Sequence, residues 1–196
     1  MPKETDMKTE RKPVLETERL ILRPMRADDD ADVIRVLTNA RCAETYMLPD
    51  YPELEAARPL FERLRALSLG EGDRLVYGIA LKPEKDGERD RLIGYLNEVA
   101  DKDGKIELGY ILHPDCWNRG YMTEALAAVI GELLRVGYAA VVAGYFEENA
   151  ASGRVMEKCG MELTGEEENI EYRGKTHRCL YREIRRDPSR MESPCE

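Results

Sequence analysis

Tyr110 to Ala128 reads YILHPDCWNRGYMTEALAA, and the fold turns on this stretch. An apolar run ends at His113-Pro114, and a short polar loop follows. Asn118-Arg119-Gly120-Tyr121-Met122-Thr123-Glu124 then leads into an apolar, helix-favouring run. That order is strand, turn, helix N-terminus. The first turn of a helix leaves backbone N–H groups without intrahelical partners, and the helix dipole is positive there, so such a junction suits an anion. Gly120 carries no side chain to keep a ligand away from the backbone.

Before the junction, Leu20-Ile21-Leu22 lies between charged residues and Pro24, so a strand is expected over Leu15 to Met25. Asp28-Asp29-Asp30 reads as a helix start. Val33, Ile34, Val36 and Leu37 have helical spacing within Ala31 to Asn39. Asp50-Tyr51-Pro52 breaks the chain. A second helix from Glu53 to Leu69 carries Leu54, Ala57, Leu60, Phe61, Leu64 and Leu67 on the 3-4 rhythm and stops at Gly70 and Gly72. Three strand-like runs follow, Leu75–Leu81, Leu92–Ala100 and Ile106–Leu112, with a turn at Asp101 to Gly104 before the third.

After the junction, a long helix is expected from Tyr121 to Arg135, with Gly137 as its cap. A buried-type strand follows from Tyr138 to Phe146, then a short helix from Ala150 to Cys159 stopped by Gly160. Met161–Glu171 and Lys175–Arg185 form two more strands around Arg173-Gly174. The element order β α α β β β α β α β β calls for an α/β fold: a mixed, mostly antiparallel sheet of about seven strands with helices on both faces. Residues 14–187 are expected to form one domain between flexible tails at 1–13 and 188–196.

Hydrophobic residues make up 42% of the 196 residues and charged residues 35%, as in a globular protein with a charged surface. Thirty Lys and Arg against 39 Asp and Glu give a net charge of −9, which argues against unassisted nucleic-acid binding. The N-terminal MPKETDMKTERK lacks an apolar core and is not read as a signal peptide. The uncharged run Val136 to Phe146 is too short to span a bilayer, so a cytoplasmic protein with no membrane partner is expected. Cys42, Cys116, Cys159, Cys179 and Cys195 are scattered and lack paired metal spacing, and they read as reduced structural thiols with no metal site.

Four stretches carry a resemblance. LETERLILRPMRADDDADV, IELGYILHPDCWNRGYMTEAL, ENAASGRVMEKCGMEL and the closing pair of strands are similar, in this order and spacing, to the GNAT N-acetyltransferase superfamily. The nearest branch is the ribosomal-protein acetyltransferases (RimJ/RimL-like), over roughly residues 15 to 186. The resemblance implies acetyl-CoA as acyl donor, with its pyrophosphate held by amides from about Asn118 to Thr123. The family's Q/R-x-x-G-x-G/A pattern falls on Trp117, Gly120 and Met122, and two of these depart from it. Arg119 is a candidate phosphate contact or a solvated surface side chain. The resemblance also implies two splayed parallel strands, often with a bulge in the first. The pantetheine arm would lie along Tyr110-Ile111-Leu112-His113, opposite Val141 to Tyr145.

Acyl transfer to an amine needs a neutral amine, a proton acceptor and donors for the oxyanion. Glu107 stands where several relatives carry the base, and strand alternation puts Glu107, Gly109 and Ile111 on one face. The other reading of Glu107 is a surface glutamate near a strand end. His113 is the second candidate base, or simply a loop residue. The resemblance makes Asn149 a contact to the cofactor arm and Ser152 a contact near the thioester or a candidate acid. Read without it, Asn149 is a helix N-cap. Many relatives place a tyrosine acid seven residues after this asparagine, where this chain has Met156. A nucleophile at Cys116 would want a nearby His⁺ or Lys to depress its pKa, and the residues form no convincing triad, so direct transfer in a ternary complex is expected.

The acceptor is expected to be a primary amine, either a protein N-terminus or a small molecule. Tyr46, Tyr51 and Tyr172 are candidates for its pocket or plain packing residues. Glu147-Glu148 and Glu166-Glu167-Glu168 could attract a cation or simply be solvated. A monomer or homodimer fits equally. The alternatives are a non-catalytic acyl-CoA-binding module and a phosphate-binding protein, and the latter lacks G-x-x-x-x-G-K-[ST].

Overall fold

The computed structural model describes residues 13–187 apart from positions 52 and 86. Of the expected tails at 1–13 and 188–196, residues 1–12 and 188–196, with Cys195, lie outside the described residues, as does Pro52 of the expected chain break. The elements are β1 (Leu15–Glu16), β2 (Leu20–Arg23), α1 (Asp30–Leu37), α2 (Ala40–Ala43), α3 (Arg58–Ser68), β3 (Val76–Leu81), β4 (Arg91–Lys102) and β5 (Lys105–Leu112). Then come α4 (Tyr121–Val136), β6 (Ala140–Phe146), α5 (Ala150–Lys158), β7 (Glu162–Tyr172) and β8 (Lys175–Arg185).

The described strands form one sheet in the order β1-β2-β3-β4-β5-β6-β8-β7. Its neighbours are antiparallel except for the central pair β5–β6, which is parallel. The sheet has eight strands rather than about seven because the first run folds back on itself. Thr17 N donates to Leu20 O at 3.0 Å, and Thr17 Oγ1 accepts from Leu20 N at 3.0 Å. This side-chain turn lets Leu15 pair with Leu22 and Glu16 with Ile21.

Other departures from expectation also have local causes. Thr38 ends α1, and Asn39, expected as its last residue, instead caps the unexpected α2 by accepting from Arg41 N. The helix expected from Glu53 opens as a 3-10 turn over Leu54–Ala57 and becomes α-helical at Arg58, with Pro59 in its first turn. The strand expected from Tyr138 starts two residues later, because Tyr138 N closes the end of α4 on Leu133 O. Asp103 and Gly104 both take positive φ, 55° and 74°, giving the two-residue hairpin turn that joins β4 to β5.

Helices cover both faces. On one, Leu126, Val129, Ile130 and Leu133 of α4 pack on Leu22, Ile79, Ile106 and Leu108. On the other, Val33 and Leu37 of α1 and Phe61 and Leu64 of α3 pack on Val76, Leu92, Tyr95 and Ile111. Each large apolar side chain buried contributes about 1.5–3 kcal/mol. A helix cap contributes about 1 kcal/mol. Burial therefore sets how α4 lies on the sheet, and its uncapped N-terminus is free to face the site.

Arg23 is 3% exposed and sits between Asp29 and Asp90, which are 0% and 7% exposed. Its guanidinium makes paired contacts of 2.8 and 3.1 Å to Asp29, and of 2.8 and 2.9 Å to Asp90. Asp29 also accepts from Arg26 N at 2.6 Å, so the acidic helix start is anchored in the interior as well as at its own N-terminus. No helix among the described residues is long and apolar enough to cross a membrane.

Candidate active site

The site exists because β5 and β6 part. They pair at Lys105↔Ala140, Ile106↔Val141 and Glu107↔Val142, and pairing stops there. β5 stays on β4 as far as Leu112, and β6 stays on β8 as far as Phe146. The V between them opens into a cleft of about 830 Å³ with the N-terminus of α4 at its mouth. The expected bulge falls on β4 rather than β5. Val99 is the extra residue between the pairs Glu98↔Leu108 and Ala100↔Glu107.

At the mouth, a 3-10 turn over Pro114–Cys116 redirects the chain. Trp117 anchors the loop by donating Nε1–H to Leu112 O at 2.8 Å. Asn118 and Gly120 take positive φ, 59° and 79°. Gly120 is the N-cap of α4 and has no side chain to offer the first turn, which leaves the amides of Tyr121 to Thr123 facing the cleft. Met122, bulkier than the family's usual residue, turns its side chain into the core.

Sequence reading missed Arg19. Its Nη1 donates to Arg119 O at 3.0 Å, and its guanidinium lies 4.7 Å from the centre of the Tyr121 ring. Its Nη2 would be 3.4 Å from a Cβ built on Gly120. Glu124 holds it there and also accepts from Thr17 Oγ1 at 2.6 Å. Arg19 thus stands beside the loop as an ion pair with Glu124, and it does not itself line the cleft. Arg119 is exposed and does not line the cleft.

Along β5 the backbone divides its hydrogen bonds. His113 N donates to Ile93 O at 2.9 Å. By the alternation of an antiparallel ladder, His113, Ile111 and Gly109 spend their backbone groups on β4. Leu108, Tyr110 and Leu112 turn theirs to the open side, where Leu112 O already accepts from Trp117. The open edge is thus shorter than the expected Tyr110–His113. Ile111 lines the cleft with its side chain, whereas His113 is buried outside the lining. Burial, followed by the charge of Arg35, lowers the His113 pKa.

Glu107, Gly109 and Ile111 share one face, as expected: a Cβ on Gly109 would touch Asn97 and Tyr46, and Ile111 packs in the α1/α3 core. Glu107 is half-buried at the apex of the V. Burial pushes its carboxyl pKa up, and the negative charge of Glu168 pushes it further. Glu168 on β7 lines the same cleft and accepts from Tyr181 Oη at 3.1 Å. In sequence it sits inside a glutamate run whose other members do not line the cleft. Cys116 is buried, and burial raises its thiol pKa, which suits a structural role.

On the opposite face, Asn149 caps α5 by accepting from Ser152 N at 3.3 Å. Ser152 Oγ lies 2.7 Å from Tyr110 Oη. Asn149, Ser152 and Tyr110 all line the cleft, and Met156 is fully buried in the core below.

The acceptor-side tyrosines separate. Tyr46 lines the cleft, while Tyr51 packs against the α1/α3 core. Tyr172 clasps the loop after α2, donating its hydroxyl to Ala43 O at 2.6 Å and lying 3.2 Å from Leu48 O, and Arg173 pairs with Asp50. Among the described residues no group of three or more His, Cys, Asp or Glu side chains could hold a metal ion.

Residues 19–162 match the acetyltransferase (GNAT) domain. The uncharacterized N-acetyltransferase YoaA of Bacillus subtilis (strain 168) is 28% identical over 156 residues, covering 78% of this chain and 85% of YoaA. An acetyltransferase (GNAT family) from Bacillus anthracis superposes with a TM-score of 0.75 at 20% identity, covering 89% of this chain and 99% of that one. RimL, a ribosomal-protein acetyltransferase solved with coenzyme A, superposes with a TM-score of 0.71 at 21% identity over 89% of this chain and 97% of its own. The matched residues run from Arg19 beside the loop, through both arms of the V, to the helix that carries Ser152, and this chain belongs to the GNAT acetyltransferase family.

Proposed function

We propose that the cleft moves an acetyl group from acetyl-CoA to a primary amine by direct transfer in a ternary complex. The observation that carries this reading is the parting of β5 from β6 with the N-terminus of α4 at its mouth. An extended amide arm fits the open edge of Leu108 and Tyr110, and a pyrophosphate fits the amides at Gly120 to Thr123 beside Arg19. Asn149 stands where the arm passes α5. RimL and the microcin C7 immunity acetyltransferase, both similar in fold, were solved with coenzyme A and with acetyl-CoA and AMP respectively.

The two faces of the V divide the chemistry. On the Glu107 face, the acceptor amine loses its proton to Glu107, directly or through water, as its lone pair attacks the thioester carbon. Glu168 is the second carboxylate within reach of that side. On the other face, Ser152 donates a hydrogen bond to the departing thiolate, a duty Met156 cannot perform. The acceptor enters beside Tyr46, Glu44, Glu107 and Glu168, while the basic side chains of the cleft are Arg41 on α2 and Arg154 and Lys158 on α5.

The test is calorimetric titration with acetyl-CoA, followed by a CoA-release screen of small amines and N-terminal peptides. Binding with turnover on at least one amine is expected. Binding with no turnover on any acceptor would point to a sensing module, and failure to bind would refute the reading.

A further inference from the structure

The Tyr110 side chain has a specific place beside Ser152. The phenol leaves β5 on the α5 face with its Oη 2.7 Å from Ser152 Oγ and 3.2 Å from Ser152 O; both oxygens can accept its single proton, and the contact to Oγ is the shorter. Ser152 does not need this contact to be held in the helix, since Asn149 already accepts from its N–H. Burial holds the Tyr110 phenol well above its ordinary pKa, so it stays a protonated donor across the working pH range. Cys159 and Tyr145 are the other titratable groups facing it.

We propose that the Tyr110 hydroxyl is a positioning group for Ser152: by donating to Ser152 Oγ it turns the serine's own proton into the cleft, toward the sulfur of the leaving CoA. A serine hydroxyl has one hydrogen and two lone pairs. When one lone pair takes the phenol proton, the serine hydrogen is left for another acceptor, and a thiolate in the cleft is the strongest available. Hydrogen bonds in series also polarise one another, which makes Ser152 the better donor. Many relatives carry a phenol on the helix at the position of Met156. Here Met156 is core, and the phenol arrives from the neighbouring strand instead.

The electron balance is simple. The amine nitrogen forms the new bond to the acyl carbon, and the C–S bond breaks with its electron pair going to sulfur. The amine proton goes to Glu107. Ser152 keeps its proton and hydrogen-bonds the thiolate, which is protonated from solvent after release.

This inference rests on the reading of Ser152 as the donor to the thiolate, and the experiment separates the two. CoA is bound to the wild type and to Tyr110→Phe, Ser152→Ala and the double variant, and the thiolate's ultraviolet absorbance is titrated with pH. Phe keeps the ring and removes only the hydroxyl. Wild type should bind the thiolate preferentially. Both single variants should weaken that preference about 10- to 100-fold, the range of a hydrogen bond to a charged atom. CoA affinity at low pH should be nearly unchanged, and the double variant should be no worse than Ser152→Ala. A loss in Ser152→Ala alone, or additive losses, would overturn the role of Tyr110 and leave Ser152 standing. No loss in Ser152→Ala would overturn both, and no CoA binding by the wild type would overturn the acetyl-CoA reading with them.

Discussion

Arg19 and Glu124 lie 105 positions apart and meet at one carboxylate: Arg19 contacts Glu124 through its backbone N at 2.8 Å, Nε at 2.7 Å and Nη2 at 2.6 Å. The pair ties the turn between β1 and β2 to the first turns of α4, so the loop that shapes the mouth of the cleft is braced from the edge of the sheet. Glu124→Ala should release Arg19 and let the Asn118–Gly120 loop drift. A small misplacement of a binding group is costly, and the KM for acetyl-CoA should rise by up to about 10-fold with a smaller change in kcat. Steady-state kinetics on the acceptor found by screening checks this, and an unchanged KM would remove the brace from the binding site.

Gly120 separates a backbone effect from an electrostatic one. At φ 79° any L side chain is strained, so Gly120→Ala should cost about 1–2 kcal/mol of stability while leaving some cofactor binding. Gly120→Asn should be milder, since Asn tolerates this region. Gly120→Glu should abolish acetyl-CoA binding by setting bulk and negative charge against the phosphates. Melting temperature and calorimetry together report the two effects.

Glu107 predicts a pH profile. Its raised carboxyl is protonated, and so unable to accept a proton, up to a pH above the ordinary glutamate value of about 4.3. The acid limb of kcat/KM should therefore titrate above that value. Glu168→Gln removes the neighbouring negative charge and should move the limb to lower pH. Glu107→Gln should flatten it and lower the rate by about 10²–10⁴-fold. Full turnover of Glu107→Gln at every pH would end its candidacy as base.

The Arg23 cluster predicts the acid stability of the whole domain. Asp90→Ala removes one of the two carboxylates that bracket the buried Arg23 guanidinium and leaves its Nε and Nη2 short of an acceptor while Asp29 still pairs with it, so it should cost about 1–3 kcal/mol. Hydrogen bonds from Arg23 hold the Asp90 carboxyl below its ordinary pKa. Burial alone would raise Asp29, but its bonds from Arg23, Arg26 and Arg89 win and lower it. A carboxylate with a depressed folded-state pKa stabilises fully above its unfolded value, about 3.9, and this stability is lost as pH falls through the folded value. Urea midpoints should hold down to about pH 5 and fall steeply below pH 4. Asp29→Asn should show a lower midpoint and a shallower acid fall.

Much of this was legible from residues alone, because local rules carried it. The 3-4 rhythm of α3, the Asp103-Gly104 hairpin and the helix-capping Asn149 are each set by neighbours within a few positions. Where local rules competed, boundaries moved. Thr17 broke the first strand by bonding to Leu20, and Asn39 opened a new helix instead of closing the previous one. Glu107 was identified on its strand by pattern and resemblance. Glu168 was hidden in a run of glutamates, because pairing of β7 with β8 decides which of them faces inward.

Residue patterns alone set the order of elements from α3 onward, the glycine junction at the head of α4, and the alternation that puts Glu107 with Gly109 and Ile111. These depend on backbone sterics and on periodicities of two and 3.6. The position of Arg19 beside Gly120, the burial of His113 outside the cleft lining and the reach of Tyr110 to Ser152 depend on the assembled fold. Those outcomes follow from contacts between segments tens of residues apart, and each is selected by burial and sheet register, which no local stretch encodes.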